Sequence, residues 1–379
     1  MIRTKPAPHL LNVLGPEFPG YAQKILYTST KQNGDKVAVS GFVIEPSVKW
    51  DGPGPTPTVA FAPGTRGQAD ACAPSRGVGL AGQFDPASGA LGLNYEIPMY
   101  QAAAAQGMRV VVTDYIGLGT PGVHTYLNRI EQAHALIDAA RAALNVSQAP
   151  EGAPVGFFGY SQGGGAAASA AELVARYGSE LNVVGTYAGA PPAHPTQVLQ
   201  AVDGGNIMAV LGYAINSFIE SDPDRTKPVF DRVLNARGQA FLEDTKHSCL
   251  ADAALRWAGT ETSALTKSGL SLYDVAMRDP EVHAIFDAHR VGNNAPISAP
   301  IRVAISVNDD VIPHGQAVQM AADMCAAGGA VQLVSIQQPS ILPGSGGNHV
   351  VPYLTDAVSA LGYIADRFLG KPAPNTCTR

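Results

Sequence analysis

The chain has 379 residues, of which 46% are hydrophobic and 15% are charged, and its formal net charge is −6. This much apolar surface excludes a disordered chain, and the acidic balance argues against nucleic-acid binding, which needs clustered Lys and Arg. No apolar run reaches the roughly 20 residues that a membrane-spanning helix needs, so no transmembrane segment is expected.

The first 190 residues alternate strand-like and helix-like patterns. Predicted strands are Gln23–Thr30, Lys36–Pro46, Thr58–Ala62, Arg109–Thr113, Pro154–Phe158 and Leu181–Tyr187. Predicted helices are Tyr95–Gln106, Leu127–Ala143 and Gln162–Tyr177. The turn Asn33–Asp35 joins the first two strands into a hairpin. Because strands that alternate with helices imply right-handed crossovers, we expect a mostly parallel sheet with helices on both faces.

Residues 191–299 lack this alternation. Their apolar residues follow helical spacing in Gln197–Ile219, Val229–Leu242 and Asp252–Trp257, and no convincing strand is present. The alternation then resumes with the strand Ile301–Val307, the helix Gly315–Ala326, the strand Ala330–Ile336 and a final helix near Val351–Phe368. We therefore predict one α/β domain formed by residues 1–190 and 300–379, interrupted by a helical cap at residues 191–299.

The segment Gly159–Gly163 carries the strongest chemical signal, since it reads Gly-Tyr-Ser-Gln-Gly between a predicted strand and a predicted helix. A serine hydroxyl is a poor nucleophile until a nearby base activates it. A sharp strand-to-helix turn exposes the serine oxygen above the sheet edge, and the helix N-terminus directs N–H groups at a developing oxyanion. The string alone arises often by chance, but in this position it indicates Ser161 as a nucleophile.

The acid and the base for such a serine are expected on loops after later strands, the acid first and the histidine last. His349 lies in a Gly-rich loop before the last predicted helix and is the preferred base. Asp309 and Asp310 both follow the strand Ile301–Val307. We favour Asp309, the first residue beyond the strand end, and Asp310 remains the alternative. Asp114 precedes the nucleophile in the chain, and we interpret it as a structural turn residue.

The backbone N–H of Gln162 and that of Thr65, in the loop after the strand Thr58–Ala62, are the predicted oxyanion donors. His124 and His194 are candidates for lining the pocket. This chemistry needs no metal ion and no organic cofactor, and the sequence holds no cluster of zinc type. None is therefore predicted.

The apolar stretch Ile207–Ile219 is a candidate wall for an acyl group. Its candidate contact residues are Met208, Leu211, Tyr213 and Phe218, and Tyr160 beside the nucleophile is a further candidate. Packing of the cap onto the main domain explains any one of the apolar side chains in this stretch equally well.

The four cysteines, Cys72, Cys249, Cys325 and Cys377, are widely spaced. Their number alone does not decide between four buried thiols and two disulfides. The start of the chain, Met1–Lys5, does not begin a recognisable signal peptide. We expect either a trimmed N-terminus or a protein that stays inside the cell.

Five segments together resemble the secretory lipase family, which includes the yeast lipase A type and many actinobacterial relatives. The segments are Phe61–Gly67, Cys72–Ser75, Thr113–Gly122, Gly159–Gly164 and Asp309–Pro313. The resemblance covers nearly the whole chain. It implies an α/β-hydrolase fold with a helical cap, action on carboxylic esters including acylglycerols, and a triad of Ser161, Asp309 and His349.

The resemblance also implies an exported or cell-envelope protein with disulfides Cys72–Cys249 and Cys325–Cys377. Contact with a lipid interface through the cap is a further expectation. Because about 30 residues follow His349, we expect little room for a C-terminal flap, an open site and a preference for shorter or more soluble esters. An acyltransferase with the same triad, a peptidase and a non-catalytic binding protein are the alternatives. The sequence does not predict an oligomeric state.

Overall fold

The computed structural model describes residues 3–7, 19–77, 79–86, 89–292 and 296–377. Within these ranges the strands are β1 (Arg3–Pro6), β2 (Gly20–Thr30), β3 (Lys36–Pro46), β4 (Thr58–Ala62), β5 (Gly82–Phe84), β6 (Leu91–Leu93), β7 (Arg109–Thr113), β8 (Pro154–Tyr160), β9 (Asn182–Gly189), β10 (Ile301–Ser306) and β11 (Val331–Ile336). The α-helices are α1 (Ile97–Ala105), α2 (Arg129–Val146), α3 (Gln162–Tyr177), α4 (Pro195–Ala201), α5 (Val210–Ser221), α6 (Pro223–Val233), α7 (Ala236–Lys246), α8 (Leu250–Trp257), α9 (Leu272–Arg278), α10 (Pro280–Asp287), α11 (His314–Ala326) and α12 (Gly347–Phe368).

Nine strands of the described ranges form one sheet in the order β1-β2-β3-β7-β4-β8-β9-β10-β11. The first three pairings, from β1 to β7, are antiparallel, and all pairings from β7 to β11 are parallel. Parallel strands need crossover connections, and helices supply them here. The prediction of a mostly parallel sheet with helices on both faces is confirmed.

Each buried strand divides its side chains between two apolar layers, because successive residues of a strand point to opposite faces. In β4, Val59 and Phe61 join the layer that contains α1 and α12. Ala60 and Ala62 join the layer that contains α2 and α3. The parallel strands β4 and β8 are therefore apolar over most of their length, as strands covered on both faces are.

The helices α4 to α10 occupy the chain between β9 and β10. The stretch Gln197–Ile219, whose apolar residues follow helical spacing, is divided between two helices: α4 ends at Ala201, and a turn with Gly204 in the left-handed region (φ +68°) separates it from α5. The limits of the cap, residues 191–299, stay a prediction.

The last helix also begins earlier than the sequence predicts. α12 starts at Gly347, not near Val351, because Gly346 adopts the left-handed conformation (φ 82°) that a glycine takes without strain. His349 therefore lies in the first turn of a helix and not in a loop. None of the helices in the described ranges is long and apolar enough to cross a membrane.

Candidate active site

Ser161 stands at the junction of β8 and α3 with a strained backbone, φ 58° and ψ −123°. Two glycines make this turn possible. A Cβ on Gly159 would collide with the carbonyl group of Gly163, and a Cβ on Gly163 would collide with the carbonyl oxygen of Ala62. Strain of this kind persists only where the surrounding structure enforces it, and here it lifts the Ser161 hydroxyl above the sheet edge.

Three side chains, which follow β8, β10 and β11 in the chain, form one chain of hydrogen bonds. Nε2 of His349 lies 2.8 Å from Oγ of Ser161, and Nδ1 of His349 lies 2.8 Å from Oδ2 of Asp309. Because a carboxylate only accepts, Nδ1 carries the proton and Nε2 is free to accept from the serine hydroxyl. The structure thus brings together the three residues predicted from the sequence.

The two neighbouring aspartates have different partners. The carboxylate of Asp309 is fully buried and also accepts hydrogen bonds from the backbone N–H groups of Val311 and Ile312, at 3.0 and 2.8 Å. Asp310 turns the other way, and its Oδ2 accepts from the backbone N–H of Gly346 at 3.1 Å. Asp309 therefore faces His349, while Asp310 binds the loop that precedes His349 in the chain.

Tyr160 contacts the histidine as well as the cavity. Its hydroxyl donates to the backbone carbonyl of His349 over 2.7 Å, and its ring centroid lies 5.4 Å from the imidazole. Tyr160 also lines the cavity next to Ser161, and its contact with a substrate stays a prediction. It acts on the site by fixing the first turn of α12.

The two predicted oxyanion donors, Thr65 and Gln162, both line the cavity with Ser161. Neither backbone N–H has an acceptor among the described residues. Gln162 is the first residue of α3, whose N-terminal amides carry partial positive charge. Two unpartnered amides beside a nucleophile are suited to stabilising negative charge on a substrate oxygen.

His124 lies behind Gln162 and does not line the cavity. Its Nε2 accepts from the Gln162 side-chain amide at 2.8 Å, and its Nδ1 lies 3.3 Å from the Ile116 carbonyl oxygen. Burial lowers the pKa of His124 to about 4, so the ring is neutral at pH 7 and can accept this bond. The prediction that His124 lines the pocket is wrong; the ring instead orients the side chain that follows the nucleophile.

Two other candidates also lie away from the cavity. His194 precedes α4 as its N-cap residue and is not part of the cavity wall, contrary to expectation. Asp114 is fully buried and accepts hydrogen bonds from Ser40 and Ser75. Burial raises the pKa of Asp114. These contacts fit the predicted structural role of Asp114 in a turn.

The cavity in front of Ser161 has a volume of about 660 Å³ and mostly apolar walls. Five side chains from the predicted cap form part of its wall: Pro192, Val198, Ile207, Val210 and Leu250. The prediction of Met208, Leu211 and Phe218 as acyl contacts is wrong. All three are buried in the apolar core, as is Tyr213. Met208 lies in the turn before α5, whereas Leu211 and Phe218 lie two helical turns apart on a buried face of that helix.

Sequence reasoning missed three tyrosines of the cavity wall, Tyr95, Tyr126 and Tyr353. Tyr353 follows His349 by one helical turn, so the two share a face of α12. A correct start for that helix would have indicated this tyrosine. Tyr95 and Tyr126 lie on irregular segments, and no periodic signal marks them.

Both disulfides that the resemblance implies are present, Cys72–Cys249 and Cys325–Cys377, each with Cα atoms 5.5 Å apart. The first joins the chain just after the Thr65 loop to the start of α8. The same segments also pair by backbone hydrogen bonds, from Leu250 N–H to the Arg66 carbonyl at 2.8 Å and from Gln68 N–H to the Ser248 carbonyl at 2.9 Å. The loop that bears Thr65 is thereby attached to the segment that bears Leu250.

No group of three or more His, Cys, Asp and Glu side chains in the described part of the chain is arranged to hold a metal ion.

Comparison with known proteins places this geometry in a family. The profile of the secretory lipases matches residues 83–376. The chain belongs to the secretory lipase family. At the level of this family it is a carboxylic-ester hydrolase with an α/β-hydrolase fold, as the sequence motifs predict.

Among curated proteins, a Mycobacterium tuberculosis protein named "Probable inactive lipase MT1628" is 28% identical over 93% of this chain and 75% of its own length. The secreted triacylglycerol lipase LIP5 of Malassezia globosa is 27% identical over 74% of this chain and 57% of its own length. The curated relatives thus include both a protein named inactive and a protein named a triacylglycerol lipase.

Two solved structures have the same fold. Candida antarctica lipase A in its closed state superposes with a TM-score of 0.78 at 19% identity, covering 99% of this chain and 83% of that one. The rice cell wall degrading esterase LipA from Xanthomonas oryzae superposes with a TM-score of 0.73 at 20% identity, covering 97% of each chain.

The secretory lipase family and the relatives named as secreted also confirm the expected localisation outside the cell or in its envelope. The two disulfides fit this environment, because such bonds persist in oxidising compartments.

Proposed function

We propose that this secretory lipase hydrolyses acyl esters through an acyl-enzyme formed on Ser161. The observation that carries the proposal is the unbroken hydrogen-bond chain from Ser161 through His349 to Asp309, which opens into an apolar cavity. A nucleophile, a base, an orienting acid and two unpartnered amides are the parts that acyl transfer requires.

In the first half-reaction, Nε2 of His349 takes the Ser161 proton while Oγ attacks the ester carbonyl carbon. The N–H groups of Thr65 and Gln162 stabilise the oxyanion of the tetrahedral intermediate. His349 then gives its proton to the leaving alcohol, and the acyl group remains on Ser161. In the second half-reaction a water molecule gives a proton to His349 and attacks the acyl carbonyl carbon. His349 then returns the proton to Oγ of Ser161, and the carboxylic acid is released.

The cavity supports an apolar acyl group as the substrate. Its wall is formed by aliphatic side chains from the predicted cap and by the rings of Tyr95, Tyr126 and Tyr353. Relatives named triacylglycerol lipases support acylglycerols as one candidate substrate class.

Contact with a lipid interface is also part of the proposal. Val350 and Leu354 line the cavity, yet 56% and 64% of their surfaces are exposed. They project from one stripe of α12, four residues apart. An apolar surface at the cavity mouth would favour delivery of a poorly soluble ester. The contact therefore involves α12 as well as the cap.

The test is the variant Ser161→Ala, assayed with p-nitrophenyl butyrate. Loss of the nucleophile should lower kcat by roughly 10⁵–10⁶-fold. Ser169→Ala is the matched control, since Ser169 is a buried serine of α3, the helix that Ser161 precedes, and does not line the cavity. Its activity should equal that of the wild type.

A p-nitrophenyl phosphonate should add one phosphonyl group to the wild type and none to Ser161→Ala, by intact mass. Turnover by Ser161→Ala at the wild-type rate would contradict the proposed site. In a further assay an alcohol acceptor is added. If the product is then mainly the new ester and not the free acid, the enzyme is an acyltransferase and the proposal of hydrolysis is wrong.

A further inference from the structure

The two residues on either side of Thr65 are tied to one buried carboxylate. Oε2 of Glu96 accepts from the backbone N–H of Gly64 at 3.0 Å, from Nη2 of Arg66 at 2.5 Å and from the Tyr100 hydroxyl at 3.2 Å. The side chains of Arg66 and Glu96 are 2% and 3% exposed. Three donors from different parts of the chain thus converge on one oxygen atom.

Arg66 has further partners that fix its position. Its guanidinium donates to the Leu93 carbonyl at 2.8 Å and to Oδ1 of Asn94 at 2.9 Å. The same group lies 3.7 Å from the ring centroid of Tyr95, a residue of the cavity wall. The peptide units around Thr65 therefore have little freedom to rotate.

Another Arg–Glu ion pair of the protein lies in the sheet, away from the Thr65 loop. Arg109 and Glu45, 2.6 Å apart, join β7 to β3, and neither of them lines the cavity. The pair of Arg66 and Glu96 differs from it in position. Glu96 accepts from the backbone N–H of Gly64, and Arg66 is the other neighbour of Thr65, whose own backbone N–H has no acceptor among the described residues. Hydrogen bonds to charged groups are the strong ones, so they hold a loop in one geometry.

We propose that Glu96, together with Arg66, is a positioning residue of the oxyanion hole. By holding the Gly64 peptide and the Arg66 side chain, the carboxylate directs the Thr65 N–H at the oxygen that becomes negative in the transition state. The inference rests on the proposed function. Such a donor stabilises the transition state more than the bound ester, so its loss lowers kcat and leaves KM nearly unchanged.

The test is Glu96→Gln, which keeps the shape of the side chain and removes its charge. Because a misplaced oxyanion donor loses most of its effect, kcat should fall by roughly 10- to 100-fold, with KM within about twofold of the wild type. A trifluoromethyl ketone, which forms a tetrahedral oxyanion adduct with Ser161, should bind more weakly by the same factor as the loss in kcat/KM.

Glu45→Gln is the matched control, because it breaks an ion pair of similar length in the sheet. Both variants should lower the Tm, but Glu45→Gln should retain the wild-type kcat. Equal kcat for Glu96→Gln and the wild type would overturn the positioning role, as would an equal loss of kcat in Glu45→Gln. If turnover also persists in Ser161→Ala, the proposed function itself has failed.

Tyr100→Phe serves if Glu96→Gln does not fold. It removes one donor to Oε2, keeps the ion pair and keeps the ring that packs on Phe42 and Phe61. The carboxylate is then held less firmly, and we expect kcat to fall by about three- to tenfold. An unchanged kcat in Tyr100→Phe would overturn the proposal in that case.

Discussion

The edge of the sheet and the helices α4 to α10 contribute to the same cavity in different ways. The edge supplies polar groups with fixed partners: Ser161 follows β8, Asp309 follows β10, and hydrogen bonds of 2.8 Å join both to His349. The helical region supplies apolar walls such as Val198 and Ile207, which make no directional contacts there.

This difference separates chemistry from selectivity. A directional hydrogen bond fails when one atom changes, whereas an apolar wall changes only the space that it encloses. We expect substitutions at the sheet edge to lower the rate for every ester. Substitutions in the helical wall should change which esters are accepted.

Of the substitutions that compare the two regions, Asp309→Asn is expected to have the largest effect. The amide cannot hold His349 in the tautomer that leaves Nε2 free, so kcat should fall by roughly 10³–10⁴-fold for all esters. Asp310→Asn is the control, because Asp310 bonds the Gly346 N–H and not the imidazole. Its loss in kcat should stay within about tenfold. A larger loss for Asp310→Asn than for Asp309→Asn would reverse the assignment of the acid.

Removal of the disulfides tests how the two regions are joined. The pair Cys72–Cys249 connects the Thr65 loop to α8 across 177 residues, whereas Cys325–Cys377 spans 52 residues. Each double Cys→Ser variant should lose about 2–5 kcal/mol of unfolding free energy, and the longer loop about 1 kcal/mol more.

Denaturant unfolding measures both losses. We also expect only the Cys72/Cys249 variant to lower the rate with p-nitrophenyl octanoate, because Leu250 of the cavity wall is held through the adjoining segment. A loss of that rate in the Cys325/Cys377 variant of similar size would show that the attachment between the two regions is not specific.

The sheet edge could be predicted from the sequence because local signals determine it. Short β-branched strands and the glycines around Ser161 are signals of a few residues each. The expected chain order of serine, acid and histidine then indicates Asp309 and His349. The start of α12 could not be predicted, since it depends on a left-handed Gly346 whose N–H is bonded to Asp310. That contact forms between segments 36 residues apart.

The helical wall could not be predicted for a related reason. Met208 and Ile207 are neighbours of similar hydrophobicity, and only the break between α4 and α5 decides which of them faces the cavity. Helical periodicity identifies an apolar face but not the layer against which it packs. The choice between cavity and core belongs to tertiary packing.

Acid should lower the free energy of unfolding through the buried histidines of both regions. His289 tests this effect in the helical region. Burial lowers its pKa to about 3, and its ring stacks on Phe218. The unfolded state then binds a proton that the folded state does not, so the free energy of unfolding falls as the pH drops below about 6.5.

At pH 5 this loss should be about 2 kcal/mol for His289, relative to pH 8. His289→Phe keeps the stacking and removes the titration, so the difference in unfolding free energy between pH 8 and pH 5 should shrink by that amount. If His289→Phe instead lowers kcat at pH 8, the helical region affects the chemistry and the contrast with the sheet edge is wrong.

The smallest effect is expected for Ile207→Trp, and it tests the comparison most directly. The larger side chain fills part of the cavity, so kcat/KM for p-nitrophenyl octanoate should fall by roughly tenfold relative to the acetate ester. The rate with the acetate should change little, because Ser161 and its partners are untouched. Met208→Leu is the matched control at the next residue, which is buried in the core. Should Met208→Leu shift this preference as strongly as Ile207→Trp, the packing layer behind the wall, and not the wall itself, would determine the size of the acyl group.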